Sequence, residues 1–200
     1  MILDHTEYVD ESFDGLQQAE TQLQGSRFRS CSFRHANLEA LVTAGCLFDS
    51  CDLTEVRFNA SKHVNSAFVN CRFRGTHLFA AKFEDCKLTG SVFEAVRWSG
   101  FSNSGGDWSY TNLRHSNLKG VSLRGARLLE ADLYESNLEG ADLRDTDLGN
   151  AVLSKANLAK ADLRGANVGG IDFSTVSLRG VRLDVAQAVV IVQSLGATIE

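Results

Sequence analysis

Apolar residues recur at every fifth position along almost the whole chain. Counted in steps of five from Leu3 to Leu183, the positions are mostly Leu or Phe, and they include ten of the twelve phenylalanines. From Leu113 to Leu163 the residue at this position is always Leu. Two residues before each of these central positions the side chain is usually small, as at Ala131 and Ala141. The other three positions of each unit are mostly polar.

A period of five fits neither common secondary structure. An amphipathic helix repeats about every 3.6 residues and a half-buried strand about every two. The five-residue unit therefore requires the chain to turn a corner in each repeat, with the central and small residues inward. Because one such unit cannot bury its apolar side alone, the units must stack as a solenoid. The sequence has no proline, as expected for a backbone that needs its N–H donors for bonds between coils.

The run ADLYESNLEGADLRDTDLGN at residues 131–150 resembles the A(D/N)LXX motif of the pentapeptide-repeat family. The resemblance covers roughly residues 8–183. It implies an all-β fold, a right-handed quadrilateral β-helix with four repeats in each coil, so that residues twenty apart are stacked. About nine coils at ~4.8 Å would form a rod of roughly 43 Å. We therefore predict one solenoid domain over residues 1–183.

The pattern weakens near the N-terminus and at two polar central positions. Gln18 occupies a central position, so we predict that residues 1–20 form an irregular, capping first coil. Thr43 and His63 are also central and are twenty residues apart. We expect these two side chains to stack as tolerated polar residues of the core.

Residues 98–110 form a second irregular segment. Phe101 stands where a small residue is expected, and Asn103 stands at a central position. Two interpretations remain open. The segment is a kink between a wider Phe-rich half and a narrower Leu-rich half, or it is a partner-contacting loop. The loop would present Phe101, Asn103, Asp107 and Trp108.

The five-residue period stops after Leu183, and residues 184–200 are predicted to form a helix and a tail. Asp184 is a suitable N-cap, Gln187 completes a variant of the capping box, and Gly196 is suited to the position after the last turn. The helix carries more apolar residues than one solenoid end needs, so we predict a two-fold homodimer through the C-terminal ends. The predicted interface consists of Val185, Val189, Val190, Ile191, Val192, Leu195 and Ile199.

The candidate chemistry argues against an enzyme. The cysteines all occupy the small inward position, where thiols behave as small apolar residues; they are Cys31, Cys46, Cys51, Cys71 and Cys86. The histidines lack the HxH and HExxH spacings of metal sites. We expect no catalytic residues, no metal and no cofactor. No apolar run reaches the ~18 residues of a membrane span and no secretory signal is recognised, so we expect a cytoplasmic protein without a membrane partner.

The charge pattern favours a protein partner over nucleic acid. The formal net charge is −5, whereas nucleic-acid-binding domains usually carry a basic stripe. Residues 130–147 contain seven carboxylates at outward positions, with Arg144 as the sole base. We call these seven residues the acidic belt: Glu130, Asp132, Glu135, Glu139, Asp142, Asp145 and Asp147. Ordinary solubilising charge is the alternative interpretation.

The layout of the chain resembles the Qnr/MfpA type of pentapeptide-repeat protein. A chain of about 200 residues, nearly all repeat, ends in a short helix and a tail, and SLRGVRLDVAQAVVIVQSLGATIE is nearer to the MfpA ending. The resemblance implies a dimeric, DNA-mimicking rod that binds DNA gyrase, inhibiting it or protecting it from quinolones or related poisons. The acidic belt would meet the basic surface with which gyrase binds phosphates. A structural or protein-interaction solenoid with another partner is the alternative.

Overall fold

The computed structural model describes residues 6–199, which contain short strands and one helix. The elements are β1 Glu7–Val9, β2 Gln22–Gln24, β3 Arg27–Arg29, β4 Val42–Ala44, β5 Leu47–Asp49, β6 Lys62–Val64, β7 Ala67–Val69, β8 Arg72–Arg74, β9 Lys82–Glu84, β10 Val92–Glu94, β11 Ser102–Ser104 and α1 Val185–Ser194. Every strand has three residues. This length is what a chain that turns a corner every five residues allows.

Each strand pairs in parallel with the strand one coil away. In β1 and β3, for example, Tyr8 lies opposite Phe28. The strands form sheets in the orders β1-β3-β5-β7, β10-β8 and β11-β9-β6-β4-β2. Single bridges continue the twenty-residue register as far as Asp162 opposite Arg182. The predicted right-handed quadrilateral β-solenoid is confirmed.

Regular strands occupy fewer turns than the number of coils predicted from the repeat. The longest sheet contains five strands, so three-residue strands account for about five turns, a count that differs from the predicted nine coils of the whole solenoid. Beyond Ser104 the coils are joined by single bridges between residues twenty apart. In the Leu-rich half the backbone therefore leaves the extended conformation closer to each central residue.

The corners explain why one position of each repeat is so often glycine or polar. The residue two after the central position adopts a positive φ, as in Gly140 at 66° and Asp145 at 59°. This left-handed conformation is strained for most side chains and favourable for Gly, and Asn and Asp tolerate it better than other residues. Every corner of this kind turns the chain toward the next face of the solenoid.

The central residues fill the interior as continuous stacks. Phe48 and Phe68 stack with ring centroids 4.6 Å apart and planes inclined by 3°. In the C-terminal half the stacks consist mainly of Leu, and Leu133 and Leu143 are fully buried. Parallel rings and interdigitated Leu side chains both fill the coil spacing, so each half packs densely with its own residue type.

The first coil departs from the predicted irregularity. It pairs in register from Glu7 onward, and the backbone N–H of Gln18 donates to the carbonyl of Asn37 at 2.9 Å. The central Phe13 and the inward-facing Leu16 are only partly buried, unlike the inward residues Phe33 and Ala36 one coil above them. The predicted irregular stretch also includes residues 1–5, which lie outside the described residues.

The C-terminal helix α1 begins as the sequence predicts. The Asp184 carboxylate accepts hydrogen bonds from the backbone N–H groups of Ala186 and Gln187, and the Gln187 side chain accepts from the backbone of Asp184. Gln187 also donates to the carbonyl of Ala166 at 3.0 Å, which ties the helix to the last coil. Within residues 6–199, no helix has the length and apolar character needed to cross a membrane.

Candidate protein-interaction surfaces

The acidic belt lies on the outside of the solenoid, where its central Leu neighbours are buried. Glu130, Glu135 and Asp145 are exposed, and all three occupy positive-φ corners with φ of 54°, 54° and 59°. The other four belt residues are partly covered. The corners therefore carry the most accessible carboxylates of this surface.

Basic side chains compensate most of the belt. Six of its seven carboxylates have a cationic partner within 4.0 Å. The pairs are Asp132 with Arg114, Glu135 with His115 and Lys155, Glu139 with Lys119 and Lys160, Asp142 with Arg144, Asp145 with Arg124, and Asp147 with Arg127. Within the described chain only Glu130 has no such partner. The belt therefore carries much less net negative charge than residues 130–147 contain.

These ion pairs keep the carboxylates ionised but hold them weakly. Hydrogen bonds from Arg144 lower the pKa of Asp142, and those from Lys119 lower the pKa of Glu139. Exposed pairs of this kind contribute little to stability and are screened by salt. An arriving basic surface could therefore exchange with the cations already present.

Apart from Arg144, the compensating cations were missed by sequence reasoning because they lie outside residues 130–147. They stand about one coil away along the chain: Arg114 is 18 residues before Asp132, and Arg124 is 21 before Asp145. A search for Lys and Arg about twenty residues from each carboxylate would have found them. The twenty-residue period of the coil, applied to charged as well as to apolar residues, predicts these ion pairs.

Segment 98–110 does not project as a loop with exposed aromatic residues. Phe101 and Asn103 are 3% and 4% exposed and Trp108 is fully buried, while Asp107 is partly exposed. Asn103 lies in β11 and accepts a hydrogen bond from the Trp108 indole at 3.1 Å. Of the two interpretations, the partner-contacting loop does not fit these three buried side chains, because their apolar area and their polar groups are used inside the solenoid.

The C-terminal end carries exposed apolar side chains. Val185, Val192, Leu195 and Ile199 are 80%, 42%, 55% and 44% exposed, respectively. The predicted interface residue Ile191 instead faces the solenoid and is 3% exposed. Val189 and Val190 are partly covered. The helix thus seals the last coil with one side and leaves apolar surface on the other.

The cysteines are distributed through the core as the repeat predicts. All five are buried, and each Sγ–H lies against backbone carbonyls, as Cys71 does against Phe48 at 3.3 Å. No group of three or more His, Cys, Asp or Glu side chains in residues 6–199 is placed to hold a metal ion. The accessible chemistry of this surface is therefore charge and apolar contact.

Comparison with protein families matches the model for pentapeptide repeats over residues 51–94, 107–145 and 141–180, which is more than half of the chain. A curated relative, the pentapeptide repeat protein MfpA of Mycobacterium tuberculosis, is 40% identical over 70 residues. This alignment covers 35% of the present chain and 38% of MfpA. The sequence similarity to MfpA is therefore clear but confined to part of each protein.

Solved structures match along nearly the whole chain. Full-length QnrB1, described as a plasmid-mediated fluoroquinolone resistance protein, superimposes with a TM-score of 0.87 at 21% identity. The match covers 97% of this chain and 99% of QnrB1. A trypsin-treated QnrB1 variant gives the same TM-score at 22% identity. At this identity the likeness establishes a shared fold.

Proposed function

The chain belongs to the pentapeptide-repeat proteins, and from this premise we propose that it binds DNA gyrase as a DNA-mimicking homodimer. Binding would inhibit gyrase, protect it from quinolones or related poisons, or do both. Neither catalysis, a cofactor nor direct contact with nucleic acid is part of the proposal. A gyrase partner would place the protein in the cytoplasm.

The observation that carries the proposal is the apolar surface left by α1 at one end of the rod. Val185, Val192 and Leu195 are exposed there although the helix has already sealed the last coil. Two copies joined through this end by a two-fold axis would cover that surface. Such a dimer would be a longer straight rod with an acidic belt on each side of its centre.

The acidic belt supports an electrostatic contact with a DNA-binding surface. Gyrase binds DNA through cations that neutralise phosphates and release counterions. Glu130, Glu135 and Asp145 project from corners of a rigid solenoid, so they are held in place before binding. The intramolecular cations weaken this contact, because each must give way or remain within the complex. Binding should therefore weaken as salt is raised.

The test is gyrase supercoiling with purified dimer, with and without a fluoroquinolone. The belt variant carries Glu130→Gln, Glu135→Gln and Asp145→Asn. A matched control neutralises the same residue types at positive-φ corners of the N-terminal half: Glu20→Gln, Glu55→Gln and Asp85→Asn. We expect the belt variant to act about tenfold more weakly than the control.

Two outcomes would reject parts of this proposal separately. Equal action of the two variants would remove the belt as the contact while leaving gyrase binding in place. A folded dimer that leaves supercoiling unchanged, both with and without the drug, would reject gyrase as the partner.

The second candidate is a structural or protein-interaction solenoid with a different partner. The observation that favours it is the compensation of six belt carboxylates by neighbouring cations. Such a surface is well solvated and close to neutral, which suits solubility as much as DNA mimicry. Affinity capture that enriches another protein, without topoisomerase subunits, would favour this candidate.

A further inference from the structure

The ladder of backbone hydrogen bonds between neighbouring coils is interrupted on one face of the solenoid, next to Trp98. In neighbouring coils the register gives three regular bonds on this face, such as Leu78 N–H to the Arg97 carbonyl and Leu118 N–H to the Asn137 carbonyl. The same register predicts bonds from Trp98 to Asn117, from Gly100 to Lys119 and from Asn117 to Val96. None of these three bonds forms in residues 6–199. The bridges stop at His77–Arg97 and resume at Asn117–Asn137.

At this level of the rod, the opening is confined to one face. At the same level Val92 is bridged to Asn112, Ser102 to Ser122 and Asp107 to Arg127. The two coils are therefore in normal register on the other faces and splayed on one. A cleft of about 430 Å³ lies in the gap, within the roughly 300–1,000 Å³ typical of ligand sites.

Two large aromatic side chains account for the splaying. Trp98 occupies the central position, and Phe101 occupies the position that other repeats give to a small residue. Their ring centroids are 5.1 Å apart in an edge-on arrangement. One coil below, the equivalent pair is Leu78 with Ala81. Because the two rings exceed the volume of that pair, the backbone above them cannot close onto the coil.

The cleft is lined by unused hydrogen-bonding groups of both kinds. Its free donors are the backbone N–H groups of Trp98, Gly100 and Asn117, and its free acceptors are the carbonyls of Val96 and Asn117 among others. The Trp98 side chain, which also lines the cleft, is 4% exposed and its buried Nε1–H has no partner. A simple anion would satisfy only the donors, whereas the main chain of an extended peptide offers both donors and acceptors.

We propose that this open rung, between residues 96–100 and 117–121, binds an extended, acidic peptide segment of a partner protein by main-chain hydrogen bonding. The inference is independent of gyrase binding. The peptide would act as an added strand that completes the interrupted ladder. Its backbone would form hydrogen bonds with the N–H and carbonyl groups of the cleft that have no partner within the solenoid.

The charges and apolar surface around the cleft define the side chains of the ligand. Arg97 lines the cleft and forms no ion pair within the described residues, and Lys119, which also lines it, is shared with Glu139 at 2.9 Å. Phe79 is 59% exposed one coil below Ser99. A segment with one or two carboxylates and an apolar side chain would match these groups.

The experiment uses the full protein and the capped peptide acetyl-Glu-Val-Glu-Val-amide as probe. Binding is followed by Trp fluorescence and by amide hydrogen exchange. We expect saturable binding that slows exchange of the Gly100 and Asn117 amides. Arg97→Glu should weaken binding about tenfold. The matched control Arg74→Glu reverses an exposed arginine on a face with a closed ladder and should bind as the wild type does.

A backbone-methylated version of the peptide and sodium acetate separate the modes of binding. The methylated peptide keeps its carboxylates but loses main-chain donors, so it should not bind measurably. Equal binding of the methylated peptide, or saturation by acetate with the same fluorescence change, would overturn the proposal in favour of a simple anion site. Unchanged exchange of Gly100 and Asn117 at saturating peptide would also overturn it, as would equal affinities of the Arg97→Glu and Arg74→Glu variants.

Discussion

The hydroxyl of Thr43 lies 2.8 Å from Nδ1 of His63, one coil above it inside the solenoid. Both side chains are fully buried and stand at central positions of β4 and β6. Ser66 joins Thr43 at 2.9 Å, and Ser61 lies 3.0 Å from the other ring nitrogen of His63. Each polar atom of this stack therefore has a partner, which explains how two polar residues replace apolar ones in the core.

His63 should make the protein acid-sensitive. Burial lowers the pKa of His63 to about 3, whereas an unfolded His titrates near 6.5. The unfolded chain therefore binds a proton as pH falls below about 6.5, while the folded chain does so only near 3. The free energy of unfolding should decrease across this window by up to about 1.4 kcal/mol per pH unit from this group.

Denaturant unfolding at several pH values measures this effect, with His63→Phe as the comparison. Phe is the residue at the same position of the next coil, Phe83. The difference between wild type and variant isolates the His63 contribution from the carboxylates that also titrate. A difference that stays constant from pH 7 to about pH 4 would contradict a buried neutral imidazole.

Dimerisation through α1 should be abolished by a charge in the exposed apolar surface. Leu195→Lys places an ammonium group where the proposed interface would exclude water, so the dimer should dissociate. Val152→Lys is the matched control, because Val152 is similarly exposed, at 43%, but lies along the rod. Light scattering at tens of micromolar distinguishes the two. A wild-type monomer would reject the dimer itself.

The cysteine thiols should be inert in the folded protein. Burial raises the pKa of Cys86 to about 11 and also raises the pKa of Cys71. The hydrogen bond from Cys71 lowers the pKa of Cys51, but Cys51 is only 2% exposed and reagents cannot reach it in the folded protein. Labelling with a disulfide reagent at neutral pH should therefore be slow for native protein and complete in denaturant. Rapid labelling of any thiol without unfolding would contradict the described core.

Gly106 should tolerate substitution less well than a corner glycine. It has φ of 81°, and a Cβ there would lie 2.2 Å from the Cys86 carbonyl oxygen. Gly140 has φ of 66° with nothing within 4 Å of a Cβ. Gly140→Ala should cost roughly 1–2 kcal/mol for the left-handed backbone. Gly106→Ala should cost about 1–3 kcal/mol more from overpacking, as measured by denaturant unfolding. Equal losses would mean that the coils separate easily at Cys86.

The sequence predicted the core and the capped C-terminal helix because both depend on local repetition. The five-residue period places a central Leu such as Leu133 on the inner side of the coil in every repeat. Asp184 and Gln187 form a cap within four residues of each other. The acidic belt was predicted in position but not in net charge. Arg114 and Arg124 reach the acidic belt from the adjacent coil. They are about twenty residues away along the chain, so counting charges within residues 130–147 leaves them out.

The sequence by itself determined the repeat, the inward and outward positions, the burial of the cysteines and the end of the solenoid. These features follow from a period of five and from cap residues, which act over short stretches of chain. Only the tertiary structure decided the pairing of the belt carboxylates and the opening beside Trp98. Both depend on which side chains meet across the gap between coils. Phe101 is an oversized residue in the sequence, but only the stacked coils determine on which face the ladder opens.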